Sequence, residues 1–306
     1  MQATEAINKQ TWQQKWDSYK RHPLSLILFL AVSLAMLITV GVLVLLIGYI
    51  LIKGIPHLTP SLFSLTYTSD NVSLMPALVN TILMTLMSLL FAVPLGIFAA
   101  IYLVEYAGRG NKLVKVVRIT AETLSGIPSI VYGLFGMLFF VNALKWQYSF
   151  LSGSLTLAIM ILPLIMRTTE EALKSVPDSY REGSFGLGAG RLRTVFRIVL
   201  PSAMPGILAG IILAIGRIVG ETAALLYTAG TVANYPRAVA PAGSNWLQQG
   251  LSVFMSSGRT LSLHMYVLSG EALYIDQAYA TAVVLLVVVI GINALSSLIA
   301  KKITKG

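Results

Sequence analysis

Arg217 and Glu221 are two charged residues in a stretch that otherwise carries no charge, from Ala203 to Thr231. A charge at the centre of a bilayer costs about 2.5–3.5 kcal/mol on insertion scales, so both side chains should face the protein interior. Their spacing of four residues places them on one face of a helix. The planar guanidinium of arginine can engage two oxygens of an oxyanion. The pattern indicates either a self-neutralising ion pair or an anion-binding group whose affinity the carboxylate moderates.

Other reactive constellations are missing from the sequence. It contains no cysteine, and its three histidines, His22, His57 and His264, are scattered. No Gly-x4-Gly-Lys-Ser/Thr motif is present to hold the phosphates of ATP. We therefore expect no catalytic residue, no metal site and no bound cofactor in this chain. If ATP drives the protein, ATP and magnesium bind to a partner subunit.

The composition is that of a polytopic membrane protein. Of the 306 residues, 56% are hydrophobic and only 11% are charged, whereas soluble domains carry roughly 25% charged residues. A net charge of +10 in a soluble protein would suggest nucleic acid, but here basic residues in loops beside the membrane explain it, so no nucleic acid partner is expected. The first uncharged run is too long for a signal peptide, so no cleavable signal is predicted.

Six hydrophobic stretches predict an all-α integral membrane protein, because a spanning helix needs about 20 residues. The predicted spans lie at about residues 24–52, 77–104, 119–144, 152–166, 203–231 and 278–300. Pro94 should kink the second span, and Gly126-Ile127-Pro128 should interrupt the third. Residues 1–23 are polar and suit a short amphipathic helix on the membrane surface or a disordered start.

The distribution of basic residues predicts the orientation. Sixteen lysines and arginines fall on the side of the two termini and only four on the other side. Both termini, with the segment 1–23, should therefore be cytoplasmic. The long polar segment at residues 232–277, between the last two spans, should be periplasmic.

Residues 170–201, which we call the charged loop, lie between the fourth and fifth predicted spans and are expected in the cytoplasm. A helix is predicted to begin near Glu170, in a favourable position for the helix dipole, and to end near Ser175 before Pro177. Asp178 or Ser179 should then cap a second helix, with Glu182 completing a capping box.

Gly186, Gly188 and Gly190 are expected to break that second helix or to allow close approach of a partner. From Arg191 to Leu200 the apolar residues recur at helical spacing with arginines opposite. Pro201 and Pro205 should end this amphipathic helix. The charged loop is therefore either a docking surface built as helix, glycine turn and helix, or a passive surface loop.

The spacing within the charged loop resembles a known pattern. Glu182-Gly183-Ser184, then Gly188, then nine residues and Ile198-Val199-Leu200-Pro201 resemble the EAA-x3-G-x9-I-x-L-P loop of ABC importer permeases, with Gly-Ser in place of two alanines. This resemblance implies the fold of a type I ABC importer permease, with six spans and a cytoplasmic coupling helix that contacts an ATPase subunit. The implied coupling residues are Glu182, Gly183, Ser184, Gly188, Ile198, Leu200 and Pro201.

Two further motifs, residues 126–136 (GIPSIVYGLFG) and 220–226 (GETAALL), resemble those of phosphate-specific permeases. The second motif and the long segment before the sixth span are most similar to the PstA family. The resemblance implies a non-catalytic permease subunit in the bacterial inner membrane that imports inorganic phosphate by alternating access. Its implied partners are a PstC-like second permease, a dimer of PstB-like ATPases and a PstS-like periplasmic phosphate-binding protein. The residues implied on the substrate path are Arg217, with Glu221 as its ion-pair partner, Thr222, and Arg167, which could equally be an anchor at the membrane boundary.

Several polar residues and two other functions stay open. Glu122 should be solvated or paired with a loop arginine, and Asn80 and Thr81 should hydrogen-bond between helices. Ser125, Ser129 and Tyr132 could line a pore near Pro128 or simply pack. One arginine cannot distinguish phosphate from sulfate or molybdate, so a permease for another oxyanion is an alternative. A secondary transporter that needs no ATPase is the alternative from a different class.

Overall fold

The computed structural model describes residues 23–108, 110–238, 245–270 and 273–305, and the predicted amphipathic segment at residues 1–23 lies almost wholly outside these ranges. All regular secondary structure in these ranges is helical. Five helices are long and apolar enough to cross a membrane, and a bent pair of shorter helices brings the number to six. The predicted all-α class with six spans is confirmed.

The first helix, α1 (Pro23–Gly54), is apolar on all its faces. Its leucine, isoleucine and valine side chains are exposed along almost the whole length, and residues up to Ile52 form a unit separate from the rest of the chain. A helix that is hydrophobic all round requires an apolar environment, so α1 suits lipid or another membrane subunit.

Three helices build the core: α2 (Met75–Ile101), α5 (Phe150–Lys174) and α8 (Leu200–Val219). Helix α5 packs against both of the others and is the most buried of the apolar helices. Ser88 of α2 donates a hydrogen bond to the Ser154 carbonyl of α5 at 3.0 Å, which joins the two helices within the apolar interior. The side chains at the centre of this core are Met84, Leu157, Ile161, Ile165, Ala214 and Ile218.

The third apolar stretch is not a straight helix. Helix α3 (Lys112–Ser125) and helix α4 (Ser129–Gly136), which is extended by a π-helical turn (Met137–Ala143), meet at an angle of 103°. The bend lies at Gly126-Ile127-Pro128, where the break was predicted, because a proline disfavours helical geometry in the residue before it. Before the bend, Arg118 of α3 lies 2.7 Å from Glu170, the first residue of the charged loop.

The helix boundaries predicted at the start of the charged loop are wrong. The sequence predicted a short span at residues 152–166 and a new helix near Glu170, whereas one helix of 25 residues runs from Phe150 to Lys174. The Ser149 hydroxyl caps its start by accepting a hydrogen bond from the Ser152 amide at 3.2 Å. Ion pairs between residues four positions apart stabilise the charged end of this helix.

Helix α6 (Asp178–Gly186) starts without the predicted capping box. Pro177 occupies the N-cap position, and Asp178 is already the first helical residue. The Asp178 carboxylate accepts a hydrogen bond from Arg181 at 3.1 Å instead of capping the helix. A short helix, α7 (Arg191–Thr194), and a π-helical turn (Val195–Val199) follow and run directly into α8.

The prolines in α8 do not end a helix as predicted. Arg191 to Val219 form one continuous helical element of 29 residues, with Pro201 in the first turn of α8 and Pro205 inside it. Each proline removes one backbone donor, and the packing of α8 against α5 outweighs that loss. The helix ends at Val219, twelve residues before the predicted end of the fifth span, and a short helix, α9 (Ala223–Leu226), follows.

The polar segment at residues 232–277 contains helices α10 (Trp246–Val253) and α11 (Leu261–Gly270). Its backbone closes over the start of α5, where the Phe150 amide donates to the Ser256 carbonyl and the Leu151 amide to the Phe254 carbonyl, both at 2.8 Å. The last helix, α12 (Ile275–Lys305), packs against α11 and α8. This segment therefore forms the end of the bundle opposite to the charged loop.

Gly133 of α4 lies against the backbone of α9, and this contact can be tested. A Cβ atom at Gly133 would lie 2.8 Å from the Ala224 Cα atom and 3.1 Å from the Ala223 carbonyl oxygen. We expect Gly133→Val to lower the thermal unfolding temperature of the detergent-purified protein, because overpacking costs about 1–3 kcal/mol. Gly291→Val is the matched control, since a Cβ there meets nothing within 4 Å. An equal decrease of the unfolding temperature in the two variants would contradict this contact between α4 and α9.

Candidate functional site

A cavity of about 570 Å³ opens between α3, α5 and the end of α8. A volume in this range suits a small ligand. The cavity is lined by four basic residues and three acidic residues, a concentration of charge that is unusual in an apolar bundle. These residues are Arg118, Arg167, Lys174, Arg217, Glu122, Glu170 and Glu171.

Two carboxylates engage three of the four cations in the cavity. Glu170, whose side chain is only 9% exposed, forms an ion pair with Arg118 at 2.7 Å and accepts a hydrogen bond from Lys174 at 2.6 Å. Glu171 accepts one from Arg167 at 3.1 Å. Pairing offsets the loss of hydration of Glu170, whereas the other side chains of these pairs are between 44% and 65% exposed. These three cations therefore have protein partners.

Arg217 is the exception among the cations of this cavity. It lies in the last turn of α8, its side chain is half-buried, and it forms no ion pair within the described residues. A guanidinium carries five N–H donors and no acceptor, so a half-buried one favours an anionic ligand. The arrangement can therefore bind a small oxyanion between α8 and the walls supplied by α3 and α5.

The expected ion pair between Arg217 and Glu221 is not formed. Residues four positions apart share one face only along a continuous helix, and α8 ends at Val219. Glu221 lies beyond this end, where its buried carboxylate accepts a hydrogen bond from the Ala224 amide at 3.1 Å and so caps α9. Its carbonyl oxygen accepts another from the Ser262 hydroxyl at 2.7 Å. Glu221 thus joins α9 to α11.

The structure places some of the other residues predicted on the substrate path at the cavity and some elsewhere. Arg167 lines the cavity, whereas Thr222 does not and is half-buried at the start of α9. Ser125, which was left between pore and packing, also lines the cavity. Arg118 was missed by sequence reasoning, although its spacing from Glu122 and Ser125 marks one polar face of α3.

The predicted coupling residues separate into exposed and buried groups. Glu182, Gly183 and Gly188 are exposed, and Leu187 between them is 91% exposed. Gly188 has a φ angle of +81°, which glycine adopts without strain. This end of α6 therefore exposes an apolar side chain beside a tight turn.

Among the other predicted coupling residues, Ser184 holds the loop together from inside. Ser184 is buried, and its hydroxyl shares a hydrogen bond with that of Thr194 at 2.8 Å, which ties α6 to α7. Ile198 and Leu200 are half-buried, while Pro201 is exposed. A Cβ at Gly183 would meet nothing within 4 Å, so the glycine there is not required by packing.

A second polar cluster lies at the opposite end of the bundle and was not predicted. The guanidinium of Arg259, which is 4% exposed, lies 4.9 Å from the ring centre of Tyr67, and the same ring packs edge-on against His264. Burial, and then the charge of Arg259, lower the pKa of His264 to about 3. His264 is therefore neutral at physiological pH.

The comparison with known families and relatives identifies membrane transport proteins. Residues 92–305 match the family described as binding-protein-dependent transport system inner membrane component. The chain is 40% identical over 197 residues to the probable ABC transporter permease protein YqgI of Bacillus subtilis (63% of this chain, 66% of the relative). It is 36% identical over 225 residues to the phosphate transport system permease protein PstA 1 of Mycobacterium tuberculosis strain H37Rv (73% and 68%). The chain thus spans about two thirds of the length of these relatives.

Solved structures support the same fold. A bacterial alginate ABC transporter, in complex with an alginate-bound periplasmic protein, matches with a TM-score of 0.61 at 19% identity, over 95% of this chain and 98% of the other. The MetNI methionine ABC transporter in an inward-facing conformation matches with a TM-score of 0.54 at 18% identity, over 74% and 92%. At this identity the similarity establishes the architecture of a type I importer permease.

The buried state of His264 makes stability depend on pH. Its folded pKa is about 3, against an ordinary value near 6.5, so only the unfolded chain takes up this proton as the pH falls below 6.5. Between pH 7 and pH 5 the free energy of unfolding should therefore fall by about 2 kcal/mol. We expect His264→Phe to flatten the decrease in unfolding temperature over this range. The control is His57→Gln, because the His57 side chain is 41% exposed, and an unchanged slope in His264→Phe would contradict the assignment.

Proposed function

Because the chain belongs to the family of binding-protein-dependent transport system inner membrane components and is a PstA-like permease, we propose that it carries inorganic phosphate inward as one subunit of an ATP-driven importer. It is a multi-pass, non-catalytic subunit of the inner membrane. ATP is hydrolysed by a partner ATPase. Both termini and the charged loop face the cytoplasm, which the sixteen basic residues on that side support.

The lone guanidinium of Arg217 is the observation that carries this proposal. It is the cation of the cavity that has no carboxylate partner among the described residues. A phosphate oxygen can accept charge-assisted hydrogen bonds from its planar fork. Arg167, held by Glu171, adds positive potential without offering all its donors to the substrate. Binding is then strong enough to attract the anion and weak enough to release it.

The end of α6 is the proposed contact for the ATPase. Leu187 projects from the tip, Gly188 closes the turn, and Glu182 lies on the exposed side of the helix. An exposed apolar tip on a braced helix suits a groove in a partner subunit. A PstB-like ATPase dimer would move this helix in each subunit and alternate the access of the cavity between the two sides of the membrane.

Two further partners are proposed, a second permease subunit and a periplasmic binding protein. A PstC-like permease would supply the second half, because α1 and much of the outer surface of the bundle expose apolar side chains that lipid or another subunit must cover. A PstS-like binding protein would deliver phosphate to residues 232–277, at the end of the bundle opposite to the charged loop. The named PstA relatives favour phosphate over sulfate or molybdate as the substrate.

Replacing Arg217 tests the substrate path. Arg217→Gln should reduce uptake of labelled phosphate at least tenfold, since a hydrogen bond to a charged group contributes about 1.5–3 kcal/mol. The assembled complex and its nucleotide binding should be retained. Lys53→Gln, which neutralises an exposed cation outside the cavity and outside residues 232–277, is the control. Normal uptake in Arg217→Gln would remove this residue from the mechanism, and inhibition of wild-type uptake by excess sulfate would favour the other oxyanion.

Replacing Gly188 tests the ATPase contact. Gly188→Asp should reduce both copurification of the ATPase and phosphate uptake, because it strains the positive φ angle and adds a charge beside Leu187. Gly190→Asp adds the same charge two residues away, where φ is −74°. We expect a smaller loss there. If Gly188→Asp transports normally, the charged loop is a passive surface.

A further inference from the structure

Arg181 of α6 reaches the ends of two core helices. Its guanidinium donates to Glu105, in the π-helical turn (Tyr102–Tyr106) that ends α2, at 2.7 and 3.1 Å. It also donates to the carbonyl oxygens of Leu173, near the end of α5, at 2.9 Å and of Val176 at 2.8 Å. One side chain therefore joins the proposed docking helix to α2 and to α5.

Both members of the ion pair are shielded from water. The side chain of Arg181 is 14% exposed and that of Glu105 is 8% exposed, whereas Asp178, the other carboxylate in contact with Arg181, is 85% exposed. The hydrogen bond to Glu105 raises the pKa of Arg181, so its charge is permanent. A shielded pair of this kind is stronger and geometrically stricter than a surface ion pair.

The two carbonyl contacts give Arg181 a second role. The last carbonyl groups of a helix have no partner within it, and basic side chains at its end can satisfy them. Arg181 does this for α5, the helix that supplies Arg167, Glu170 and Glu171 to the cavity. In the part of the chain that the structure describes, the other side-chain hydrogen bond of α6, between Ser184 and Thr194, leads to α7 and not to the core.

We propose that the Arg181–Glu105 pair is the junction that transmits movement of α6 to α2 and α5, and hence to the anion cavity. Arg181 is a positioning residue: it contacts neither the substrate nor the proposed ATPase surface. This inference rests on the proposed function, because α6 moves only if an ATPase acts on it. Without the junction, α6 could follow the ATPase while α5 and the cavity stay in place.

The test uses the complete complex of both permeases, the ATPases and the binding protein in proteoliposomes. The single variant Arg181→Met leaves the shielded Glu105 unpaired and is expected to reduce the yield of assembled complex. The double variant Glu105→Leu/Arg181→Met removes both charges, so assembly should return. Phosphate uptake per ATP hydrolysed by the assembled double variant should nevertheless fall about tenfold, within the range usual for coupling between distant sites.

Asp178→Asn is the matched control, because it removes the exposed carboxylate that contacts Arg181 and leaves both core contacts. Its ratio of uptake to hydrolysis should equal that of the wild type. A double variant with a normal ratio would overturn the proposal and leave the pair a structural role only, and so would one that fails to assemble. By contrast, a wild-type complex that transports no phosphate would refute the proposed function itself.

Discussion

Charge pairing away from water is the constraint on which this structure depends. A charge that loses hydration in an apolar bundle needs an opposite charge or a set of hydrogen bonds. Glu105 meets that need for Arg181, and Arg118 and Lys174 meet it for Glu170, whose side chain is 9% exposed. Arg217 forms no ion pair among the described residues and is therefore available to a ligand. The pairing pattern thus separates charges that maintain the fold from the one that we propose binds substrate.

Helix α5 connects the two functional regions. It begins at the Ser149 cap, passes through the centre of the core, and carries its charged residues to the cavity in its last two turns. Its final carbonyl groups are then bound by Arg181 of α6. On the proposed function, both the ATPase contact and the anion site adjoin the last two turns of α5, so a displacement of α6 would reach the residues that line the cavity.

Much of the fold was predictable because it follows from local properties of the chain. The apolar stretches predicted six passes, Pro128 predicted the bend, and the glycines predicted a turn after α6. The errors lie at helix ends. Pro201 and Pro205 do not interrupt α8, and α5 continues through Glu170, because packing and ion pairs outweighed the local signals.

The sequence by itself determined the membrane class, the spacing of the charged loop and the importance of Arg217, since hydropathy and motif spacing are properties of the chain alone. Only the tertiary structure decided which charges pair. It showed that Glu221 caps α9 instead of pairing with Arg217, and that Arg181 contacts Glu105, a residue 76 positions away. Such contacts depend on where a helix ends and on which helices become neighbours, and both are settled by packing of the whole bundle.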